Sequence, residues 1–318
     1  MNLLKLIQKE INKLFKLYSK SSLWGKILVL TLLLILVIVF FKNIKKNNNI
    51  EGFEQNDNFL VKTGHEIYDN FYASIYDYLV YNNLKNDYEI GQIINKTSPS
   101  SESVILDIGC GTGHHVANLS AKNLNVLGID KSPEMIQKAK ENYPQYKFKV
   151  GDALNSELFG SNTFTHILTM YFTIYYIKDK SIYFENVYKW LMPGGYLIIH
   201  LVDRQKFDPI LPPGNPLLLV SPQKYANKRI TTTNVKFDNF AYNADFQLDE
   251  QNNIAYFIEK FKNDVNNKVR KNEHVMYIPD ITEIVNEAQT TGFNLLGIVD
   301  LMECQYEYQY LYIFVKPN

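Results

Sequence analysis

The sequence lacks the features that identify disulfide-stabilised and metal-binding proteins. Only two cysteines occur among its 318 residues, Cys110 and Cys304, so it has neither a disulfide framework nor the cysteine spacing of a zinc site. Its six histidines include no pair at metal-ligand spacing. We therefore predict a domain that is held together by its hydrophobic core and binds no metal.

A net charge of one sign is also missing, because the formal charge is zero. The two signs are distributed unevenly. Residues 1–50 carry nine lysines and one acidic residue, so a charge of +8 on this segment is balanced by −8 on the rest. An acidic body does not match the phosphate backbone of DNA or RNA. We therefore expect no nucleic-acid partner.

Long hydrophobic runs are absent except at residues 23–41, where only Lys26 interrupts the apolar sequence. Nineteen residues of helix extend about 28 Å, enough for the hydrocarbon core of a bilayer, so we predict a single-pass transmembrane helix. In residues 1–22, apolar side chains at helical spacing alternate with lysines, which favours a basic amphipathic segment on the membrane lipid bilayer over a solvated tail. Residues 42–59 are polar and are interpreted as a linker.

Residues 60–318 alternate between strand and helix patterns, which predicts a parallel sheet covered on both faces. Up to residue 201 the predicted strands are 104–108, 125–129, 146–150, 164–170 and 196–201, and the predicted helices are 68–80, 113–121, one that begins at Ser132-Pro133, and 179–191. After residue 278 a helix precedes two closely spaced strands, which should pair antiparallel because no crossover fits between them. Residues 203–278 form a long insertion whose alternating apolar residues suggest additional strands.

Three acidic residues follow or end successive predicted strands. The first, Asp107, precedes Gly109, Gly111 and Gly113 in a turn that opens a helix, an arrangement typical of nucleotide-like ligands. Asp130 ends the second strand, where an acid can accept both hydroxyls of a ribose. The third acid is Asp152, which can accept from an adenine amino group. An NAD-binding enzyme is the main alternative, but its glycines are spaced G-x-G-x-x-G.

The sequence from about residue 68 to residue 203 resembles class I S-adenosylmethionine-dependent methyltransferases. The segments that carry the resemblance are VILDIGCGTG, VLGID, KVGDA, FTHILTMYFTIYYI and LMPGGYLIIH. This resemblance implies an α/β fold: a Rossmann-like, doubly wound domain with a seven-stranded, mostly parallel sheet and a reversed last strand. It also implies an enzyme that binds S-adenosyl-L-methionine. The predicted cofactor-binding residues are Asp107, Gly109, Gly111, Gly113, Asp130, Asp152, Ala153, Met170 and Tyr72.

Transfer from an activated methyl donor depends mainly on alignment, and the sequence contains no catalytic constellation that identifies a general base. Tyr68, Tyr72 and Tyr76 recur every four residues and predict an aromatic helix face over the cofactor. Three more tyrosines, Tyr171, Tyr175 and Tyr176, are expected to rim the acceptor pocket, and ordinary core packing is the alternative for both sets. Among the histidines, one of His114 and His115 is expected to face the cofactor, His200 to be packed, and His65 and His274 are candidates for substrate contact.

The acceptor itself is left open between a small molecule, a lipid and a protein side chain. The insertion at residues 203–278 is the expected acceptor-site region. No Asn-Pro-Pro-Tyr, Asp-Pro-Pro-Tyr or Pro-Cys sequence of the DNA methyltransferases occurs. The alternative to an active enzyme is a non-catalytic, membrane-tethered module that binds S-adenosylmethionine.

Two observations disagree on the side of the membrane that the domain occupies. More lysines precede the hydrophobic run than follow it, which predicts a cytosolic N-terminus and an exported domain. The methyl donor, however, is a cytosolic metabolite, and a glycan on the acceptor pattern at Asn118 would crowd the cofactor loop. We therefore expect the domain on the cytosolic side.

Overall fold

The computed structural model describes residue 18, residues 20–46, residues 57–211, residue 223 and residues 226–318, and of residues 36–46 it describes the backbone alone. The chain divides into two units, Met1–Gly52 and Phe53–Asn318. Most of the predicted amphipathic segment at residues 1–22 and of the linker at residues 42–59 lies outside the described residues.

The first unit contains one long helix, α1, at Leu23–Lys46. It includes the segment that we predicted to span a membrane. No helix in the described part of the chain is long and apolar enough to cross a membrane. The helix also continues into the predicted linker, up to Lys46.

The second unit alternates between strands and helices over most of its length. Its helices are α2 (Asn70–Val80), α3 (Asn83–Thr97), α4 (His114–Ser120), α5 (Pro133–Asn142), α6 (Thr173–Tyr176), α7 (Lys180–Trp190) and α8 (Ile281–Thr291). Its strands are β1 (Phe59–Thr63), β2 (Val104–Ile108), β3 (Asn125–Asp130), β4 (Lys147–Val150), β5 (Phe164–Thr169), β6 (Leu191–Val202), β7 (Thr232–Lys236), β8 (Phe240–Asp249), β9 (Ile254–Asn263), β10 (Val269–Tyr277), β11 (Asn294–Asp300) and β12 (Gln309–Val315).

Seven strands form the central sheet in the order β11-β12-β6-β5-β2-β3-β4. The neighbours from β6 to β4 are parallel, whereas β12 runs antiparallel to both β6 and β11. The Rossmann-like, mostly parallel sheet with a reversed last strand is therefore confirmed. The hairpin forms as predicted because the few residues between β11 and β12 leave no room for a crossover.

Side chains of the central strands alternate between two hydrophobic layers. Leu106 and Ile108 of β2 join a cluster that contains the apolar faces of α7 and α8. Ile105 points into a second cluster with residues of α3, α4 and α5. Because successive residues of a strand point to opposite faces, these clusters cover the two faces of the sheet. The core therefore explains why the central strands are almost uniformly apolar.

Five strands form a second sheet in the order β1-β10-β9-β8-β7. The pairs from β10 to β7 are antiparallel, which confirms that the insertion adds strands, and β1 joins its edge parallel to β10. Phe246, Ala255 and Met276 belong to the same hydrophobic cluster as α7. The second sheet is thus packed onto the central domain.

Several helices begin at the residues that the sequence indicated. Ser132 caps α5 by accepting a hydrogen bond from the Met135 N–H, with Pro133 at the first helical position. Three elements were missed: the helices α3 and α6, where the prediction had none, and the strand β1, whose first residue falls in the predicted linker.

Candidate active site

Acidic residues occupy the carboxyl ends of three neighbouring strands. Asp107 lies near the end of β2, Asp130 is the last residue of β3, and Asp152 follows β4. Because these strands are parallel neighbours, the three residues lie along one edge of the sheet. The carboxylate of Asp130 accepts hydrogen bonds from the backbone N–H groups of Gly111 (3.0 Å) and Ser132 (2.9 Å). These bonds tie the glycine-rich loop to the end of β3.

Two glycines of this loop are required by its geometry. Gly109 has a φ of 70°, and a Cβ atom there would lie 2.4 Å from Cγ2 of Thr173. Gly113 has a φ of 93° at the N-terminus of α4, and its Cβ atom would lie 2.8 Å from the ring of Phe148. The first glycine therefore allows α6 to approach the loop, and the second allows α4 to pack against β4.

Asp107 is a buried carboxylate that has no hydrogen-bond partner among the residues that the structure describes. It is 1% exposed. Burial raises its pKa to about 7, an effect that the neighbouring His115 opposes. A buried polar group without a partner is costly, so a ligand amino group at this point would be stabilised. This property fits the ammonium group of S-adenosylmethionine.

A small cavity of about 80 Å³ lies beside Asp107 and is lined by ionisable side chains from α3 and α4. Glu89 in this wall is fully buried and pairs with Lys85 and His115. Although burial opposes ionisation, Lys85 and then His115 lower the pKa of Glu89 to about 2. The cavity thus offers both an unpaired carboxylate and the ammonium group of Lys85, which suits the amino-acid end of the cofactor. Glu89 and Lys85 were not predicted from the sequence because the helix α3 that carries them was not predicted.

A larger cavity of about 630 Å³ begins at the strand ends and shares Gly109 and Gly111 with the small one. Of the nine predicted cofactor-binding residues, eight line one or both cavities: Asp107, Gly109, Gly111, Asp130, Asp152, Ala153, Met170 and Tyr72. Gly113 lines neither of the two, in keeping with its packing role. Asp152 forms an ion pair with Lys131 (2.8 Å), which holds the pKa of its carboxyl below the usual value although partial burial opposes this.

Tyrosines form one wall of the large cavity. Tyr68, Tyr72 and Tyr76 line it as predicted, and each successive pair makes an edge-to-face contact, with ring centroids 5.6 and 5.9 Å apart. Tyr176 also lines the cavity. The prediction was wrong for Tyr175, whose ring is fully buried in the core and whose hydroxyl accepts a hydrogen bond from the Val202 N–H (2.8 Å).

The second sheet and the loop before it form a second wall of the large cavity. The residues of this wall are Phe207 to Leu211, Phe246, Phe257 and His274 to Tyr277. The insertion at residues 203–278 therefore lines the cavity, the position expected of an acceptor-site region. His274 is 2% exposed and bonds to two side chains, with Nδ1 2.9 Å from the Tyr176 hydroxyl and Nε2 2.8 Å from Oε2 of Glu259.

Glu259 was missed in the sequence, although a signal was present. It is fully buried at an odd-numbered position of β9, on the same side as Ala255 and Phe261. An acidic residue among the apolar positions of an alternating strand indicates a buried polar network. Its partners lie in other segments of the chain, so the sequence alone did not identify them.

The remaining histidines have distinct environments. His65 is exposed at the mouth of the large cavity. His114 and His115 both line the small cavity, where His114 stacks on the ring of Tyr81 with centroids 3.6 Å apart. His200 is fully buried between the Tyr171 carbonyl (2.6 Å) and the side chain of Gln309 (3.0 Å), as its predicted packing role requires.

The chain matches known methyltransferases in sequence. Residues 99–263, just over half of the chain, match the family profile described as a methyltransferase domain. Phosphoethanolamine N-methyltransferase 1 of Triticum aestivum is 34% identical over 113 residues, which are 34% of this chain and 22% of that protein. The dTDP-4-amino-2,3,4,6-tetradeoxy-D-glucose N,N-dimethyltransferase of Saccharopolyspora spinosa is 29% identical over 114 residues, which are 35% of this chain and 45% of that enzyme.

The chain spans only 20 to 37% of the length of the curated relatives that it matches first. Its fold extends further. The crystal structure of an S-adenosylmethionine-dependent methyltransferase from Clostridium acetobutylicum superposes with a TM-score of 0.58 at 20% identity, covering 78% of this chain and 99% of the other. Together with the strand-end carboxylates and the unpaired Asp107, these matches identify the chain as a member of the methyltransferase domain family, whose cofactor is S-adenosylmethionine.

Proposed function

We propose that this chain is an active N-methyltransferase whose acceptor is a small molecule with an amino group. The observation that carries the proposal is the large cavity, which extends from Asp130 and Asp152 at the strand ends to His274 in the second sheet. Its volume of about 630 Å³ falls within the range of small-molecule sites, roughly 300–1,000 Å³. It therefore has room for an acceptor beside a cofactor.

Each part of the cofactor has residues that would hold it. Asp107 would bind the ammonium group, the free lone pairs of Asp130 would accept the ribose hydroxyls, and Asp152 would accept from the adenine amino group. When bound, S-adenosylmethionine supplies an activated methyl group. The protein's own contribution is then to orient the acceptor and to exclude water, and the aromatic walls of the cavity serve both purposes.

An amine is favoured by two independent observations. Both relatives named above methylate nitrogen according to their names, and one acts on phosphoethanolamine. Tyrosine and phenylalanine rings also line the cavity from both walls, and aromatic faces attract ammonium groups. Lipid and protein acceptors, which the sequence left open, are alternatives that the experiment below distinguishes.

The test begins with cofactor binding to the full chain, measured by calorimetry. We expect S-adenosylmethionine to bind, Asp130→Ala to weaken binding at least tenfold, and Asp238→Asn to leave it unchanged, because Asp238 is exposed and outside the two described cavities. The chain is then incubated with methyl-labelled cofactor and phosphoethanolamine, ethanolamine or a nucleotide-linked aminosugar.

Label on one of the three amines supports the proposal. Cofactor binding without label in any amine contradicts it. In that case, label in the lipid or protein fraction of a host extract would assign the acceptor to one of those classes. Binding without label in any fraction would support the alternative of a non-catalytic module, and absence of binding would contradict both readings.

We further propose that residues 23–41 attach the enzyme to a membrane. The support is the apolar sequence, which only Lys26 interrupts, together with the exposed apolar side chains of α1 up to Ile35, among them Leu23, Trp24, Leu28 and Leu34. Flotation with lipid vesicles tests this proposal. We expect the full chain to float and a chain that begins at residue 53 to remain at the bottom, and flotation of neither would contradict attachment.

For the topology we propose that the methyltransferase domain faces the cytosol, where its methyl donor is found. The side-chain amide of Asn118, the residue of the glycosylation pattern named above, is half-buried and donates a hydrogen bond to the side chain of Asn86. This environment leaves no space for a glycan. In sealed vesicles with the cytosolic face outward, added protease should digest the domain, and a protected domain would contradict the proposal.

A further inference from the structure

Three side chains form a hydrogen-bonded chain that connects the large cavity to the interior of the second sheet. Tyr176 ends α6, His274 lies in β10, and Glu259 lies in the neighbouring strand β9. The Tyr176 hydroxyl is 2.9 Å from Nδ1 of His274, and Nε2 of His274 is 2.8 Å from Oε2 of Glu259. The exposed fraction decreases from the first of these three residues to the last: Tyr176 is 37% exposed, His274 2% and Glu259 0%.

The partners of Glu259 determine its charge. The Tyr242 hydroxyl donates to Oε1 (2.7 Å) and the Asn272 amide to Oε2 (3.1 Å). Although burial opposes ionisation, the hydrogen bonds from His274, Tyr242 and Asn272 hold the pKa of Glu259 below its usual value. Glu259 is therefore a carboxylate that accepts hydrogen bonds at both oxygens.

An ionised Glu259 fixes the protonation of His274. A carboxylate has no proton to donate, so Nε2 of His274 must carry the hydrogen in their bond. In the neutral ring Nδ1 is then unprotonated and accepts a hydrogen bond from the Tyr176 hydroxyl. The Tyr68 hydroxyl donates a hydrogen bond to the Tyr176 oxygen, so one lone pair of that oxygen remains to accept a proton from a ligand.

We propose that Tyr176 is the catalytic base that takes the proton from the acceptor, and that His274 and Glu259 are positioning residues that receive and stabilise the displaced proton. The proposal rests on the proposed N-methyltransferase function and adds to it the residues that activate the amine. A protonated amine has no lone pair and must lose a proton before it can be methylated.

The atoms and charges balance in this step. An ammonium proton moves to the oxygen of Tyr176 while the phenolic proton moves to Nδ1 of His274, which becomes an imidazolium beside the carboxylate of Glu259. The freed nitrogen lone pair forms a bond to the methyl carbon, and the carbon–sulfur bond breaks with its electron pair remaining on sulfur. The amine has then lost one proton and gained one methyl group. Because His274 is buried, its proton returns to solvent through Tyr176, which is the exposed member of the three.

The other groups that face His274 are suited to this role. Tyr68 and Tyr72 approach it from α2 and the segment before it, with ring centroids 6.0 and 5.8 Å from the imidazole, and Phe257 packs at 5.7 Å from β9. Burial raises the pKa of both phenols well above their usual value, so they stay neutral. Among these neighbours, Glu259 is thus the group that bears a charge.

The first test needs no acceptor. Nitrogen NMR of ¹⁵N-histidine-labelled full chain reports which ring nitrogen of His274 is protonated. We expect Nε2–H and an unprotonated Nδ1 at neutral pH, and Glu259→Gln should disturb this state. An Nδ1–H ring in the unmodified chain would overturn the proposal, because such a ring cannot accept the phenolic proton.

The second test compares Tyr176→Phe with Tyr256→Phe, a matched removal of a hydroxyl from an exposed tyrosine outside the two described cavities. With phosphoethanolamine as acceptor, we expect Tyr176→Phe to lower kcat about 100-fold or more, with unchanged cofactor affinity and Tm, and Tyr256→Phe to have no effect. With 2-(aminooxy)ethyl phosphate, whose nitrogen is already unprotonated at neutral pH, Tyr176→Phe should lower kcat less than tenfold.

These outcomes separate the two proposals. If the unmodified chain methylates none of the amine probes, the proposed function and the base role both fail. If the unmodified chain methylates one of them, two outcomes contradict the base role and leave the N-methyltransferase function standing. The first is a kcat of Tyr176→Phe within twofold of the unmodified value. The second is an equal decrease of kcat with phosphoethanolamine and with 2-(aminooxy)ethyl phosphate.

Discussion

Arg270 holds Asp69 through two hydrogen bonds from one guanidinium nitrogen, at 2.9 and 2.8 Å. The same arginine donates to the Ile67 carbonyl (2.9 Å) and is 3% exposed. Asp69 is also the N-cap of α2, where it accepts from the Tyr72 N–H. One residue of the second sheet therefore orients the helix that carries the aromatic wall of the cavity.

Replacing Arg270 should consequently destabilise the domain. We expect Arg270→Ala to cost about 2–3 kcal/mol of unfolding free energy, because it leaves a carboxylate and a buried carbonyl without their charged donor. Urea denaturation measures the change. The control is Lys236→Ala, which breaks an exposed ion pair with Asp264 and should cost less than about 0.5 kcal/mol. Equal effects of the two substitutions would contradict the structural role of Arg270.

Binding of S-adenosylmethionine should depend on pH through Asp107. Its carboxyl has a pKa of about 7 because it is buried, and only the ionised form attracts an ammonium group. The affinity should therefore fall about tenfold for each pH unit below 7. Calorimetry between pH 5.5 and 7.5 measures this slope. Asp107→Asn should bind weakly at every pH, and an unchanged slope in that variant would assign the titration to another group.

The same burial should make Asp107 unfavourable for stability without a ligand. Its folded-state pKa lies above the unfolded value, so the cost is absent below about pH 4 and grows as the pH rises towards 7. In the ligand-free chain, Asp107→Asn should raise the unfolding free energy by about 2–4 kcal/mol at pH 8 and leave it nearly unchanged at pH 4. Thermal unfolding at the two pH values checks the sign.

Two glycine-to-alanine substitutions should have opposite effects. Gly113→Ala places a Cβ atom against Phe148 at a positive φ, so we expect the free energy of unfolding to fall by about 2–4 kcal/mol. Gly91 is an exposed residue of α3, and the surroundings described for an added Cβ atom contain nothing within 4 Å. Gly91→Ala should therefore raise the free energy of unfolding by about 0.5–1 kcal/mol. A stabilising Gly113→Ala would contradict the close packing of α4 on β4.

Adjacent tyrosines in α6 should separate stability from activity. Tyr175→Phe leaves the buried Val202 N–H without its acceptor and should lower the free energy of unfolding by about 1–3 kcal/mol. The methylation rate of the folded enzyme should change little. Tyr176→Phe should show the reverse pattern. Parallel Tm and initial-rate measurements test the pair, and a large rate loss in Tyr175→Phe would mean that core packing controls the rate.

Local patterns were sufficient to predict most of the central domain. Strand β2 has the predicted bounds because a short apolar run lies between turn sequences, and Asp130 and Asp152 were found because strand ends can be recognised locally. Helix α3 was missed because four of its six buried residues, Lys85, Asn86, Glu89 and Thr97, are polar. Its apolar periodicity is therefore weak.

The parts that were missed depend on contacts between distant segments. Strand β1 pairs with β10, although strands β2 to β9 lie between them in sequence. The group of Tyr176, His274 and Glu259 likewise draws one residue from α6 and two from the second sheet. A sequence pattern identifies His274 as a candidate, but only the fold shows what it contacts.

The position of β1 has a practical consequence for experiments on the isolated domain. Phe59 and Leu60 pair with Val269 and Arg270, so a fragment that begins at residue 64 would expose the unprotected edge of the strand that carries His274. Such an edge can recruit other chains and favours aggregation. Expression of the globular unit should therefore start before Phe59, and poor solubility of shorter fragments would report on this missing edge rather than on the enzyme.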